Sequence, residues 1–247
     1  MRSKKLLLAL MVLQALLPGC SSAPSAYRSV PDFETHAGEL KKLGIVIDAH
    51  VDYKPQFFGN DRDDNKSSEM SAQGTKNLTD ALVRELAANG YTAVVLPPDD
   101  DARALLKQYK IARGDIDRPF PLTKGEVAGV APLPGAAALA AKTEVDDIVI
   151  VSSANKVLSA HAQNVAKAVA IVAAAVLVAL LATNHGTNVG SGLGGGHPTY
   201  NTDFAVVDKS GTILFYGRNN LNLMDANDVS EANAKFSDDL TAASRGE

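Results

Sequence analysis

The residues best suited to chemistry lie along one short stretch of the sequence, at positions 43–53. Apolar and polar side chains alternate from residue 47 onward, which predicts a β-strand with Asp48, His50 and Asp52 on one face. Two carboxylates beside an imidazole can act as acid and base in hydrolysis if a pocket brings them together. No nucleophile elbow surrounds Ser152 and Ser153. A hydrolytic enzyme is therefore the least favoured of three functions considered, and we expect no catalytic residues.

Two segments match ligand-binding motifs only in part. Residues 190–195 fit G-x-G-x-x-G, but a predicted helix precedes them where a dinucleotide site requires a strand. Residues 61–65 begin like a calcium loop, D-x-D-x-N, yet Lys66 stands where that loop requires Gly and Ala72 where it requires Glu. We therefore expect no nucleotide, no metal and no other cofactor, and we interpret 59–75 as a solvated acidic loop.

The amino-terminal residues have the composition of an export signal. Arg2, Lys4 and Lys5 form a positive region, and 6–17 is an apolar run interrupted by one Gln. That run is too short to cross a bilayer as a helix, which needs about 20 apolar residues. It predicts a signal peptide over residues 1–19, removed from the mature chain.

The end of this leader carries a modifiable thiol. Leu17, Pro18, Gly19 and Cys20 follow the apolar run directly, and Cys20 is the only cysteine of the chain. This sequence resembles the lipobox of bacterial lipoproteins. The resemblance implies cleavage before Cys20 and acylation with fatty acids such as palmitate. In enterobacterial sorting an Asp after the lipidated cysteine retains the protein at the inner membrane, so Ser21 indicates the outer membrane.

Charge narrows the range of partners. The formal net charge of the whole chain is −4, and removal of the leader moves it to −7. An acidic domain without a basic patch is not typical of nucleic-acid binding, so no nucleic-acid partner is expected. With a single cysteine, no disulfide can form within the chain.

The elements that must position these residues alternate between strand and helix. Strands are predicted at 43–51, 91–96 and 147–152, helices at 77–89, 101–112 and 136–142, and a hairpin at 203–218. This order predicts an α/β fold over 39–218, a single domain whose mixed sheet is flanked by helices and ends in the hairpin. Residues 20–38 are predicted to be a flexible tether, and 219–247 a polar carboxy-terminal tail.

The order of elements and the closing hairpin VVDKSGTILFYG are a second point of similarity to known proteins. In these features the predicted domain resembles the small α/β domains of envelope lipoproteins, typified by the TolB amino-terminal domain and CsgG-like proteins. In those families the domain is a docking or assembly module and not an enzyme, which implies a similar role here.

One segment is more apolar than the rest of the predicted domain. Residues 168–183 contain no charge, and a helix is predicted from 155 to 183, followed by a glycine-rich loop at 184–199. As a helix the uncharged part is about 24 Å long, shorter than the roughly 30 Å hydrocarbon core. It is therefore expected to pack against protein, although insertion in the membrane and a full span remain alternatives. The stripe expected to make the oligomer or membrane contact is Val169, Val172, Val176 and Leu180.

These observations favour one function over two others. We expect a lipid-anchored bacterial envelope protein in the outer membrane, facing the periplasm, that acts as a non-catalytic assembly accessory. Its partners would be the membrane, through the amino-terminal lipid, and an envelope protein or a second copy of itself. The alternative is a membrane-active oligomer in which 168–183 inserts into, or lines, an envelope assembly.

Overall fold

The predicted α/β fold is confirmed. The computed structural model describes residues 27–37, 40–56, 61–116, 125–127, 130–165, 199–243 and 245. Within these ranges a mixed seven-stranded sheet lies between two layers of helices. The strands are β1 Tyr27–Ser29, β2 Lys42–Lys54, β3 Thr92–Val95, β4 Gly125–Glu126, β5 Asp147–Leu158, β6 Thr199–Asp208 and β7 Ile213–Asn219. The helices are α1 Phe33–Ala37, α2 Asp64–Ala88, α3 Asp100–Ile116, α4 Pro134–Thr143 and α5 Ala226–Ala243.

The sheet has parallel and antiparallel halves. Its order is β3-β2-β5-β6-β7-β1-β4. β2 runs parallel to both β3 and β5, whereas β6 is antiparallel to β5 and to β7. At the far side β1 is antiparallel to β7 and parallel to β4. The predicted closing hairpin is therefore present, as β6 and β7.

Two apolar cores lie on opposite faces of this sheet. On one face α2 and α5 cover β5 and β6, with Leu82 and Phe236 packed in the same cluster as Val149. On the other face α3 and α4 cover the same strands, with Leu105 packed in the cluster of Ile150. Strands buried on both faces are apolar at consecutive positions, which explains why 147–152 lacks the alternation of a half-exposed strand.

The prediction of a flexible tether is wrong from residue 27 onward. β1 pairs with β7, and the ring of Tyr27 stacks on Phe215 at a centroid distance of 5.4 Å. Phe33 of α1 is 1% exposed and also contacts Phe215. Two aromatic side chains thus fix a segment whose Ser, Ala and Pro content is typical of a linker.

The prediction of a polar carboxy-terminal tail is also wrong. Residues 226–243 form α5, which packs against α2. Its buried side includes Val229, Phe236 and Leu240, and Phe236 stacks on Phe204 of β6 at 4.8 Å. The apolar residues recur at helical spacing but are separated by many polar ones, so their stripe is weak in the sequence.

The loop predicted at 59–75 is helical from residue 64. Asp63 caps the helix by accepting a hydrogen bond from the backbone N–H of Lys66 at 2.9 Å. β3 pairs with β2 only as far as Ile45, and no other described strand pairs with the rest of that edge of β2. The hydroxyl oxygens of Ser67 and Ser71 accept hydrogen bonds from the backbone N–H groups of Tyr53 and Val51 there, at 2.9 and 2.8 Å.

The helix predicted from residue 155 begins later, because β5 continues to Leu158. Residues 160–165 are helical. The rest of that prediction, with Val169, Val172, Val176 and Leu180, lies outside the described residues, as do the lipobox and most of the glycine-rich loop. Among the residues that the structure describes, no helix combines the length and apolar character needed to cross a membrane.

The β6–β7 turn holds a glycine against another part of the chain. Gly211 has φ +90°, and its carbonyl accepts a hydrogen bond from the backbone N–H of Leu133 at 2.7 Å. A Cβ at this position would lie 2.4 Å from the carbonyl oxygen of Leu133. Gly90 has nearly the same φ, +88°, with no atom within 4 Å of its Cβ position. Alanine substitutions at the two glycines therefore separate the energetic cost of a positive φ from the cost of a steric clash.

We expect Gly211→Ala to lower the free energy of unfolding by about 3 kcal/mol or more, because strain and overpacking add. Gly90→Ala should cost only about 1 kcal/mol, from the positive φ alone. Urea unfolding of both variants measures the difference. Equal losses would show that the contact with Leu133 contributes nothing.

A buried carboxylate lies at the same end of the central strands as the β6–β7 turn. Asp147 is 7% exposed and is the cross-strand partner of Asp208. Burial, and then the negative charges of Asp208 and Asp146, raise the pKa of Asp147 to about 6, while His36 lowers it slightly. Since protonation is easier in the folded state than in the unfolded chain, ionisation of Asp147 destabilises the fold at neutral pH.

Asp147→Asn should therefore stabilise the protein at pH 7.5 by about 1–2 kcal/mol, given about 1.4 kcal/mol for each unit of pKa and some remaining solvent contact. The gain should shrink as the pH falls below 6 and should be small at pH 4, where the folded state is protonated and the unfolded state is about half protonated. Urea unfolding at pH 4, 6 and 7.5 measures it. Asp238→Asn, on the exposed side of α5, is the matched control and should show no such trend.

Candidate functional site

Among the described residues, the helices stop short of the strand ends on one face of the sheet. His50, Ala154 and Asn201 are aligned on β2, β5 and β6, and all three are exposed on the face that carries α3. We call these three residues the open face. On the opposite face the same strands stay covered, since Val51 and Asn155 are 0% and 2% exposed. The described part of the sheet therefore offers a mostly polar surface on this side and a covered one on the other.

A row of polar residues marks the boundary between the covered and open parts. Asp48, Ser152, Asp203 and Arg218 are successive Cα partners on β2, β5, β6 and β7. We call these four residues the polar row. The neighbouring row on the same face is apolar and includes Ile150 on β5. The polar row is thus the last one beneath the end of α3.

Helix α3 supplies two cations to this row. The Nζ of Lys110 lies 2.5 Å from Oδ2 of Asp48. The Nη1 of Arg113, one helical turn further on, lies 2.5 Å from Oδ2 of Asp203 and 3.5 Å from the hydroxyl of Ser152. Residues three apart lie on the same side of a helix, so both cations face the sheet.

Asp203 is the centre of the arrangement. Its side chain is 2% exposed, and its other oxygen, Oδ1, accepts a hydrogen bond from the hydroxyl of Tyr216 at 3.3 Å. The Nε of Arg218 lies 3.7 Å from the same oxygen. Burial, the largest single influence, lowers the pKa of Arg113, but the charge of Asp203, its hydrogen bond to Arg113 and the effects of Tyr109 and Tyr216 together outweigh burial, so the pKa is raised. The carboxylate of Asp203 therefore favours the charged form of Arg113.

The residues predicted from the sequence only partly come together. Asp48, His50 and Asp52 do alternate along β2, as expected. Asp48 is bound by Lys110, however, and Asp52 lies 3.5 Å from the Nε of Arg62. No three His, Cys, Asp or Glu side chains among the described residues are grouped as metal ligands. The two carboxylates thus belong to separate ion pairs.

The sequence did not point to Arg113, Asp203 or Arg218. Asp203 and Arg113 are 90 positions apart, and only the fold brings them into contact. The one available signal was Asp203 itself, a carboxylate directly before the apolar run of β6. A charge beside a buried strand requires a partner, but the sequence does not say which.

A second polar group lies on the opposite face and has a structural role. Asn155 is 2% exposed and donates to the hydroxyl of Ser153, which pairs with that of Thr202 at 2.7 Å. Its Oδ1 accepts the backbone N–H of Leu223 at 3.0 Å, and Asn77 donates to the carbonyl of Leu223 at 3.2 Å. Both backbone groups of Leu223 are therefore bonded, which fixes the segment leading into α5.

A cavity of about 540 Å³ lies on the outer side of α2. Met70 and Met224 line it together with the side chains of Lys66 and Lys76. Those two lysines are bound to Glu69 and Asp80. The cavity is mainly apolar and does not contact the polar row, so it adds nothing to the chemistry there.

We expect Arg113→Ala to lower the free energy of unfolding by about 2–3 kcal/mol, because the buried carboxylate of Asp203 loses its nearest cation. Arg103→Ala, on the same helix, is the matched control. Its ion pair with Asp100 is exposed, at 62% and 98% for the two side chains, and should contribute less than about 1 kcal/mol. Urea unfolding compares the two, and similar losses would contradict a special role for Asp203.

No protein-family model matches this sequence, and no curated protein matches it either. A function for the chain therefore has to rest on the predicted leader, the polar row and the open face.

Proposed function

We propose that this protein is a lipid-anchored bacterial envelope protein whose α/β domain is a non-catalytic docking module. The anchor would be Cys20, in its lipobox behind the apolar run of the leader. Seven residue steps separate Cys20 from Tyr27, the first residue of β1, which allows at most about 25 Å. The domain would thus stand close to the membrane surface, with the β1 side of the sheet nearest to it.

The docking role is supported by the ion pairs that the carboxylates on this side of the sheet form with lysine and arginine side chains. A general base must be free to take a proton near neutral pH. Asp48, Asp203 and Asp52 each lie within 3.5 Å of a lysine or arginine nitrogen. Each of these carboxylates is therefore engaged in an ion pair within the protein and does not face an open substrate pocket. A rigid, charged surface of this kind suits recognition better than proton transfer.

The anchor sequence and the resemblance to envelope lipoprotein domains support the location. Ser21 after Cys20 favours the outer membrane under enterobacterial sorting, with the domain in the periplasm. An assembly role there requires a protein partner or a second copy of the chain. The open face is the surface that we assign to that contact.

A second candidate function, the membrane-active oligomer, is favoured by one feature of the connectivity. β5 and β6 are adjacent and antiparallel, yet 40 residues connect Leu158 to Thr199. Hairpin connections usually have two to five residues. This connection includes the uncharged segment 168–183, so a long insertion departs from the end of the central strands.

Cys20→Ala should abolish acylation and release most of the protein from the membrane fraction into the periplasm. Ser22→Ala is the matched control and should stay lipidated and membrane-bound. Mass spectrometry of the mature amino terminus and fractionation of cells measure both effects. An unmodified wild-type terminus would overturn the anchor. Tight membrane binding by Cys20→Ala would favour the second candidate, with 168–183 inserted.

A further inference from the structure

One edge strand of the sheet has no protection from the rest of the described chain. Beyond Ile45 the outer edge of β2 is covered by α2, whose serines accept its backbone hydrogen bonds. At the other end of the sheet β4 has only two residues, and one of them is the charged Glu126. β3, in contrast, contains no charge, proline or bulge, and no described strand pairs with its outer side. A free edge of this kind pairs readily with another chain.

We propose that β3 is a self-association site, at which the β3 strands of two copies of the chain pair antiparallel about a twofold axis at Val94. The site is separate from the open face, so the inference goes beyond the docking role. It rests on the proposed anchor only for the strength of the contact.

The backbone of β3 presents matching donors and acceptors to a second copy. The N–H groups of Thr92 and Leu96 donate to carbonyls on or next to β2, at 2.7 and 2.9 Å. Alternate residues of a paired strand direct their backbone groups to opposite sides, so the N–H and C=O groups of Ala93 and Val95 face away from β2. When Ala93 of each copy lies opposite Val95 of the other, all of these groups pair, in four hydrogen bonds.

The flanking residues select this register. A shift in one direction places Pro97 opposite Ala93, and proline has no N–H to donate. A shift in the other direction places Tyr91 opposite Val95, and the N–H of Tyr91 is already bonded to the carbonyl of Leu86 at 3.0 Å. Only the register centred on Val94 uses every outward backbone group of both strands.

Val95 is the side chain that this pairing would cover. It is 50% exposed and, with Ile111 of α3, is one of two large apolar side chains so exposed in the described part of the chain. Ala93 and Val95 lie on the face that carries α2, since their Cα partners Leu43 and Ile45 belong to that core. In the paired register each Val95 lies beside the small Ala93 of the second copy, and such cross-strand neighbours pack together. The pairing therefore removes both valines from water.

Symmetry favours a second copy over an unrelated strand. An antiparallel pair of identical strands is isologous, so it uses both free edges and closes at two copies. Four residues from each copy bury less than the roughly 1,600 Å² of a standard stable interface, so the dimer should dissociate when dilute. Copies anchored through Cys20 share one membrane surface, which raises their effective concentration. The dimer should therefore be most abundant among anchored chains.

The test is cysteine crosslinking of the full chain in isolated membranes, with copper phenanthroline as the oxidant. Val94→Cys should form a disulfide dimer, because opposite residues of a non-hydrogen-bonded pair have Cα atoms about 4.5 Å apart, within disulfide range. Thr92→Cys, an exposed residue of the same strand, is the matched control. Its two copies would lie about 14 Å apart, so we expect roughly tenfold less dimer. The wild type, whose only thiol is Cys20, gives the background.

A charge on the edge should prevent the pairing. In the Val94→Cys chain, Val95→Lys should lower the yield of dimer by about fivefold or more, because a lysine on an edge strand blocks pairing. Ile111→Lys, at the other exposed apolar residue, is the matched control and should leave the yield unchanged. Thermal melting shows whether each variant is folded. Sedimentation of the wild type and of Val95→Lys in a non-ionic detergent tests the contact without any cysteine, and dimers are expected at high concentration for the wild type alone.

Equal crosslinking of Val94→Cys and Thr92→Cys would overturn the register. A wild type that stays monomeric at every concentration in detergent, together with no Val94→Cys dimer, would overturn the site. A dimer that Val95→Lys leaves intact would also overturn it, and a crosslink to a different protein instead of the dimer would exclude the second copy as the partner. The acylation of Cys20 is measured separately, so this inference and the anchored function can fail independently.

Discussion

The constraint on which the whole structure depends is that its central strands are apolar on both faces. Residues 147–153 of β5 are buried without interruption, and 202–207 of β6 likewise. Water must be excluded from both sides of such strands, so the chain has to supply a helical layer for each. This requirement brings α5 back from the carboxy terminus to one face. It also places α3 and α4 together on the other.

The same requirement fixes how the edges and connections are completed. β2 is longer than β3, and its unpaired edge would expose backbone N–H groups. α2 covers that edge, and Ser67 and Ser71 accept the hydrogen bonds that a neighbouring strand would have accepted. The segment before α5 is held in a similar way, by two Asn side chains on Leu223. Polar residues in these places complete the backbone bonding of the sheet.

The polar row lies where the helical cover ends, and this position explains its chemistry. Asp203 is too deeply buried to stay charged without a partner, and Arg113 provides one from the last turn of α3. Arg28 donates to the carbonyl of Ile116, the last residue of that helix, at 2.7 Å. Cations near a helix carboxy terminus are favourable, so β1 helps to fix the end that carries Arg113. The composition of the row and its position at the edge of the helical cover thus have one cause.

The sequence by itself determined the fold class, because short β-branched runs such as 147–152 and the 203–218 hairpin alternate along the chain with segments of helical spacing. It also carries the prediction of the lipid anchor, since a lipobox is a local signal. Tertiary structure decided the rest. Residues 64–75 are helical because they cover a strand edge. Residues 226–243 are helical because Phe236 packs on Phe204 of the sheet. Arg113 and Asp203 are 90 positions apart in the sequence and come into contact only in the folded protein. Local patterns report periodicity, whereas contacts between distant residues depend on the fold.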